Sequence, residues 1–434
     1  MKLDVSVVSS KKIYLWLVGL FGLALHLGTA LLRLNTFWPY PKLIDFGSFY
    51  AGAWAMAHNL SPYASFADVA QQLASETGLT LHVPALNSFP VWPWLLRPFT
   101  HFSFPLAAWL WLGINLVLLG WCTSALANLA RFSRGWQRWM LYLLVLTFGP
   151  VTLSLTLGQS SILLLALVLL VGRNLQYPSL GKTISAGILW IVGVSTKLFP
   201  VLWLPGLFLL RKWRELFTAI ISLILLMAIQ WIKMPQITQE YLFIYLPSRA
   251  AQLSNGSLDD QSLLAWLLRL TQPLQFQAPG LFVFQRHQVS WSPGMTVSSD
   301  FVWMITMVVL GGPGLWLAWK LWTASGQFSE IYFYLWVLFT LLILPHTERY
   351  NHVLLLPAMA WLWGQKERLF VVLAYVFAGL ARLTHLWVLI LPWPWAPIAT
   401  GFGVMAIIVL MLGVVHSFSD KRSGFSFSRK SAMA

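Results

Sequence analysis

Apolar runs long enough to cross a bilayer recur along almost the whole of this chain. A membrane helix needs roughly 20 apolar residues to span the hydrocarbon core. The first such run, about 13–32, is followed by others to about 415. Only 9% of the 434 residues are charged, and mean hydropathy is +0.71. A water-soluble domain cannot hide that much apolar surface. The pattern therefore predicts an all-α polytopic membrane protein. About twelve spans fit it, near 13–32, 104–128, 138–156, 160–173, 182–196, 198–210, 216–232, 301–320, 330–345, 351–364, 368–390 and 397–415. The N-terminal run is longer than a signal-peptide core and reads as the first span. Tryptophans at run ends, Trp38, Trp92, Trp94, Trp393 and Trp395, read as an interfacial belt. Cys122 is the single cysteine, so no intramolecular disulfide is possible.

The net charge of +15 is compatible with nucleic acid, but in a membrane chain it reads as positive-inside bias and attraction to anionic lipid. With the N-terminus inside, about 18 of the 28 basic residues fall in inner segments, including Lys11, Lys12, Arg131, Arg134, Arg138, Arg211, Lys212 and Arg214. Both ends then lie inside, and the basic tail 417–434 is cytoplasmic. The acids Asp45, Asp68, Glu76, Glu240, Asp259, Asp260, Asp300 and Glu348 all fall outside. The chain reads as one integral domain, 1–434, with two long outer loops at 33–103 and 233–300. Long loops in a compact protein tend to carry function, which places any chemistry on the outer face.

The first loop contains "DFGSFYAGAWAMAHN". Phe46, Phe49, Tyr50, Ala53, Trp54 and Ala57 recur at helical spacing, which predicts a helix lying at the membrane interface. Asp45 stands where an N-cap belongs, so it reads equally as a cap or as a positioned general base. "ALNSFPVWPWLLRPFTHF" reads as a segment dipping into the outer leaflet or as an interfacial anchor. Gly158, Gln159, Ser160 and Ser161 break two apolar runs as a turn. Lys197, between apolar segments and near Pro200, either snorkels or contacts an anion such as phosphate. "PHTERYNH" gathers His346, Glu348, Arg349, Asn351 and His352. Two histidines six apart lack the framework of a metal site, and no metal or other cofactor is expected. Asp259 and Asp260 read as caps of the following helix, and Asp68 and Glu76 as solvated helix charges. There is no phosphate-binding P-loop and no dinucleotide fingerprint, and an outward-facing enzyme has no nucleotide pool. An activated substrate would come on a lipid carrier.

These same residues resemble glycosyltransferase family 87. "DFGSFYAGAWAMAHNLSPY" is similar to its first-loop motif, "FPVWPWLLRPF" to its aromatic-proline stretch, and "GQSS" to its G-Q-x-N. "STKLFP" is similar to its K-x-x-P, "DDQSLLAWLLRL" to its N-Q-S-L segment, and "LPHTERYNHVLLL" to its late Pro-His segment. The matches run in order over about 40–360. Departures fall at Ser161 and Asp260, where the family has asparagine, and at Asn351, where it often has aspartate. The resemblance implies a GT-C fold and transfer of a hexose, often mannose, from a polyprenyl-phosphate donor to a lipid or glycan acceptor, on the outer face of a bacterial plasma membrane. It implies Asp45 as general base, and Lys197, His346, Arg349 and His352 near the donor phosphate. It also implies substrate contacts at Tyr50, Tyr63, Gln159, Asp260 and Gln261. One base and one displacement predict inversion at the anomeric carbon. Two rival readings remain. A lipid-linked-sugar flippase would carry ionisable groups deep in its spans, with His26, Arg382 and His385 as candidates. A non-catalytic membrane assembly subunit would show no transfer activity.

Overall fold

A computed structural model describes residues 10–63, 69, 71, 73–75, 86–250, 257–279, 286–291, 297–323, 329–392 and 394–431. Asp68, Glu76 and Trp393 lie outside the described residues. The principal helices are α1 (Ser10–Leu31), α2 (Ile44–Ala57), α3 (Phe104–Leu129), α4 (Gly135–Thr147), α5 (Gly149–Leu157), α6 (Ser161–Gln176) and α7 (Leu180–Thr196). They continue with α8 (Trp213–Lys233), α9 (Leu263–Thr271), α10 (Ser299–Thr323), α11 (Ser329–Ile343), α12 (Leu356–Gly364), α13 (Arg368–Leu380) and α14 (Phe402–Ser431). One short antiparallel ladder, β1 (Leu274–Pro279) with β2 (Arg286–Trp291), lies in the second long loop.

Among the described residues, five helical stretches are long and apolar enough to cross a bilayer: Ile13–Phe37, Phe104–Leu129, Trp213–Lys233, Ser299–Thr323 and Arg368–Ile390. Helices α4 and α5, bent by 58° at Phe148, together make a sixth. The other apolar helices are 10–17 residues long. By length and composition, five or six stretches among the described residues are thus long and apolar enough to cross, where the apolar runs predict about twelve. The shortfall has a physical cause. Helix α5 stops at Gly158, α7 stops at Lys197, and α11 stops before Pro345, all where polar residues gather. Broken helices at membrane depth persist only where protein or a wet cavity satisfies the freed backbone.

Helix α1 faces outward along much of its length: Tyr14 and Trp16 are 68% exposed and Leu20 58%. Its inner face packs on α13, where the absence of a side chain at Gly22 admits Val376. Helix α6 is the opposite case. Its apolar residues from Ile162 to Val171 are nearly all buried, and α3, α7 and α11 surround it. A helix apolar on every side belongs at the centre of a bundle.

Helix α2 does not lie open on the protein surface: every residue from Phe46 to Met56 is buried within the protein. Its aromatics are spent on the fold: Phe46 stacks on Trp111 with ring centroids 5.3 Å apart, and Phe49 meets Trp92 edge-on at 5.8 Å. The proline-rich segment is likewise packed into the protein. It forms a short helix, Val91–Leu96, with Val91, Trp92 and Pro93 buried against α2. Trp92 is thus a core residue, whereas Trp38 and Trp395 are exposed as a belt requires.

Candidate active site

The site is built where α2 begins. Leu43 precedes the helix with φ 33°, in the left-handed region that a branched side chain rarely adopts. Its carbonyl accepts from Gly47 N at 2.8 Å and opens the helix. The strain, on the order of 1–3 kcal/mol, is set against full burial of the Leu43 side chain, worth about 1.5–3 kcal/mol. Gly158 makes that burial possible. It closes α5 at φ +73°, and a Cβ there would lie 2.6 Å from Phe46 Cβ and 2.9 Å from Leu43 Cβ. The first turn of α2 therefore rests directly on the Gly158 backbone, and Trp111 Nε1 donates to the Gly158 carbonyl at 2.8 Å.

This contact brings Asp45 to Gln159. Gln159 Nε2 donates to Asp45 Oδ2 at 2.6 Å. Leu43, not Asp45, is the N-cap of α2, and no side chain caps the helix. The cap reading of Asp45 is thus corrected: its carboxylate lies in the first turn and turns to a neighbouring loop. Burial pushes the Asp45 carboxyl up to about 6, against the opposing pull of Gln159 and Lys197.

Lys197 stands in the same electrostatic neighbourhood. Its Nζ donates to Asn351 Oδ1 at 2.9 Å and lies 4.0 Å from the centre of the Tyr350 ring. Ser161 Oγ also donates to Asn351 Oδ1, at 3.3 Å. Two departures from the family motifs, Ser161 and Asn351, therefore meet each other beneath the lysine. Burial lowers the Lys197 ammonium to about 7, although Asp45 and Glu348 favour its charge.

His346 joins the same group of charges. Its Nδ1 lies 2.9 Å from Asp260 Oδ2 and its Nε2 3.0 Å from Glu348 Oε1. Burial opposes protonation, but the two carboxylates outweigh it and hold the imidazolium to about 10. Asp260 is buried and also accepts from Thr347 N at 2.8 Å and Ser262 N at 2.9 Å. Burial alone would raise its carboxyl, yet these bonds keep it below the usual range. Ser262, not either aspartate, caps α9, through its Oγ and Ala265 N at 3.1 Å.

The remaining residues implied by the resemblance are occupied within the protein. Arg349 pairs with Asp259 and donates to the Arg382 carbonyl at 3.1 Å. His352 is buried beside Gly403, and burial followed by the nearby Arg349 lowers it to about 4, leaving it neutral. Gln261 accepts from Gly403 N at 3.2 Å and donates to the Leu258 carbonyl at 3.2 Å. Tyr50 donates to the Phe102 carbonyl at 2.9 Å and Tyr63 to the Ser88 carbonyl at 2.6 Å. His346 and His352 do not converge on one point. Among the described residues, no three His, Cys, Asp or Glu side chains are placed to hold a metal ion.

Tyr350 is a site neighbour that sequence reasoning did not single out, and Glu348 was named there only as a member of the polar cluster. Each couples electrostatically to Asp45. Their signal was density: "HTERYNH" packs seven polar or aromatic residues between two apolar runs. The site thus offers one carboxylate with a raised pKa, one lysine with a lowered pKa, and an imidazolium clamped behind them. A carboxylate of pKa about 6 can take a proton from a hydroxyl, and an adjacent ammonium can stabilise a developing anion.

Compared with known proteins, the chain matches the family model of glycosyltransferase family 87 over residues 90–345. Gln159, Lys197, Asp260 and Gln261 fall within that stretch, whereas Asp45, His346, Glu348, Arg349 and His352 flank it. No curated protein and no solved structure matches the chain.

Proposed function

This chain belongs to glycosyltransferase family 87 and is a membrane glycosyltransferase, and we propose that it moves a hexose, in the first instance mannose, from a polyprenyl-phosphate carrier to a hydroxyl of a lipid or glycan acceptor. The reaction takes place on the outer face of a bacterial plasma membrane, with both chain termini cytoplasmic. No cofactor is needed, because the lipid phosphate is already a good leaving group.

The observation that carries this reading is the Asp45–Gln159 contact at 2.6 Å, with Lys197 beside it. Gln159 aims one carboxylate oxygen and leaves the other for substrate. As the acceptor oxygen bonds to the anomeric carbon, its proton passes to Asp45. The anomeric carbon–phosphate oxygen bond breaks, and its electron pair stays on the phosphate. Lys197, charged below about 7, offsets part of that charge. His346, held cationic by Asp260 and Glu348, adds to the positive field. A single displacement inverts the anomeric configuration.

The test is reconstitution of purified protein with polyprenyl-phosphate mannose, followed by linkage analysis of the product. Asp45→Asn keeps the shape and the Gln159 contact but cannot accept a proton. Loss of a general base lowers turnover by about a hundredfold or more. A folded Asp45→Asn protein with near-normal turnover would refute the base role, and a product with retained configuration would refute the single displacement.

A further inference from the structure

Three arginines from distant parts of the chain meet beside α5. Arg33, just after α1, donates from Nη1 to Thr156 Oγ1 at 3.2 Å. Arg382, just after α13, donates from Nη1 to Thr152 Oγ1 at 2.7 Å. Thr152 and Thr156 are one turn apart on one face of α5, where side chains four residues apart are neighbours. The two guanidiniums are therefore stacked along a single stripe. Arg349 sits behind them, with Nη1 on the Arg382 carbonyl at 3.1 Å and on Thr384 Oγ1 at 3.2 Å.

Compensation for these charges is incomplete. Among the described residues, Asp259 is the one carboxylate paired with any of the three, and His385 shares it at 3.4 Å. Three guanidiniums against one carboxylate leave two positive charges. Arg349 is buried, Arg33 and Arg382 are half-buried, and the buried Nε of Arg349 has no hydrogen-bond partner among the described residues. Burial, then the nearby Arg33 charge, lowers Arg349 to about 10. Uncompensated charge at membrane depth is expensive and marks a place built for an anion.

We propose that Arg33 and Arg382, backed by Arg349, hold the phosphate of the polyprenyl-phosphate leaving group. This rests on the lipid-phosphate transfer described above. Thr156 lies three residues before Gln159, the residue that aims Asp45. The seat and the base are thus borne by adjoining segments of the chain, α5 and the turn that follows it. One face of helix α1 is apolar and exposed along much of its length, which leaves Arg33 open to a lipid headgroup approaching from that side.

Charge balance favours the product over the donor. The donor is a phosphodiester with one negative charge, whereas the departing monoester carries about −1.5 to −2 near neutral pH. Two positive charges match the monoester, so the seat gains strength as the bond breaks, which is the requirement for stabilising a transition state. Lys197 alone, with its ammonium lowered to about 7, is only partly charged in that range.

The experiment measures binding of polyprenyl monophosphate to the purified full-length protein in zwitterionic nanodiscs. Competitors are polyprenol, phosphatidylglycerol and inorganic phosphate. Arg33→Gln and Arg382→Gln are each expected to weaken polyprenyl monophosphate binding at least tenfold, while Arg97→Gln, an exposed arginine elsewhere, leaves it unchanged. A photoactivatable polyprenyl monophosphate analogue should label wild-type protein within 31–37, 149–157 or 381–385, which keeps the test valid if a variant does not fold. Normal binding by folded Arg33→Gln and Arg382→Gln, or labelling confined to other segments, overturns the proposal. Equal competition by phosphatidylglycerol would make the seat a general phospholipid site, and equal competition by inorganic phosphate a free-phosphate site; either also overturns it. If binding behaves as expected but no donor sugar is transferred, the transfer reading fails and the phosphate seat stands.

Discussion

Asp45 and Lys197 have been driven towards each other in pKa by one cause, burial, which raises the acid to about 6 and lowers the base to about 7. If the reaction needs a carboxylate and an ammonium together, activity has two pH limbs. It rises as Asp45 loses its proton near 6 and falls as Lys197 loses its own near 7, so kcat/KM should be bell-shaped with a narrow maximum between them. Because the groups interact, the two apparent values belong to the pair. Asn351→Asp tests the assignment without removing either group. It would place a carboxylate against Lys197 Nζ, where the amide oxygen now sits at 2.9 Å. A neighbouring anion favours the ammonium, so the alkaline limb should move up by about one pH unit or more while the acid limb stays near or above 6. An alkaline limb unmoved in a folded, active Asn351→Asp protein would show that Lys197 does not set it. Lys197→Ala should lower kcat by about 10²–10³, the usual range for losing one charge-stabilising group, and should abolish the alkaline limb.

The start of α2 depends on one glycine, and that dependence joins fold to chemistry. Gly158 serves two needs: a positive φ of 73° to end α5, and space for Phe46 and Leu43. Gly158→Ala would strain the turn and push α2 away from it, and an alanine at positive φ costs more than about 1 kcal/mol. The Gln159–Asp45 bond is the first contact that displacement breaks. Lower thermal stability together with at least a tenfold loss of transfer is the expected result. A stable Gly158→Ala protein with full activity would mean that Gln159 does not aim the base. This element also shows what could be read from sequence. The α2 helix, the break at Gly158 and the clustering near His346 were all legible from helical spacing, a turn residue and polar density. The burial of α2 was not, because an all-round apolar helix and an interfacial one share the same aromatic spacing until their neighbours are known. The contacts of Asp260, Gln261 and Arg349 within the protein were hidden for a related reason. A polar residue in an outer loop looks available to substrate, and only the folded contacts show it holding Thr347, Gly403 or the Arg382 carbonyl.

At the scale of the molecule, composition alone dictated a helical membrane protein, and the long apolar helices agree with it. The number of crossings was less legible, since helices interrupted at the site are shorter than the bilayer is thick and hydropathy cannot tell an interrupted span from a buried core helix. Orientation rests on the basic residues, and it is testable on the intact chain. Cys122 is fully buried, so the native protein offers a low thiol background. Lys42, two residues before α2, and Arg131, between α3 and α4, are both exposed. The positive-inside bias assigns them to opposite faces, while Asp45 shares the side of Lys42 only three residues away. A membrane-impermeant maleimide applied to intact cells should label Lys42→Cys and spare Arg131→Cys until the membrane is opened. The reverse pattern would place Asp45 on the cytoplasmic side, where nucleotide sugars are available, and would remove the reason for a lipid-borne donor. The same labelling, repeated with polyprenyl monophosphate present, should slow modification of Lys42→Cys, because that exposed residue stands in the chain between Arg33 and the aimed carboxylate.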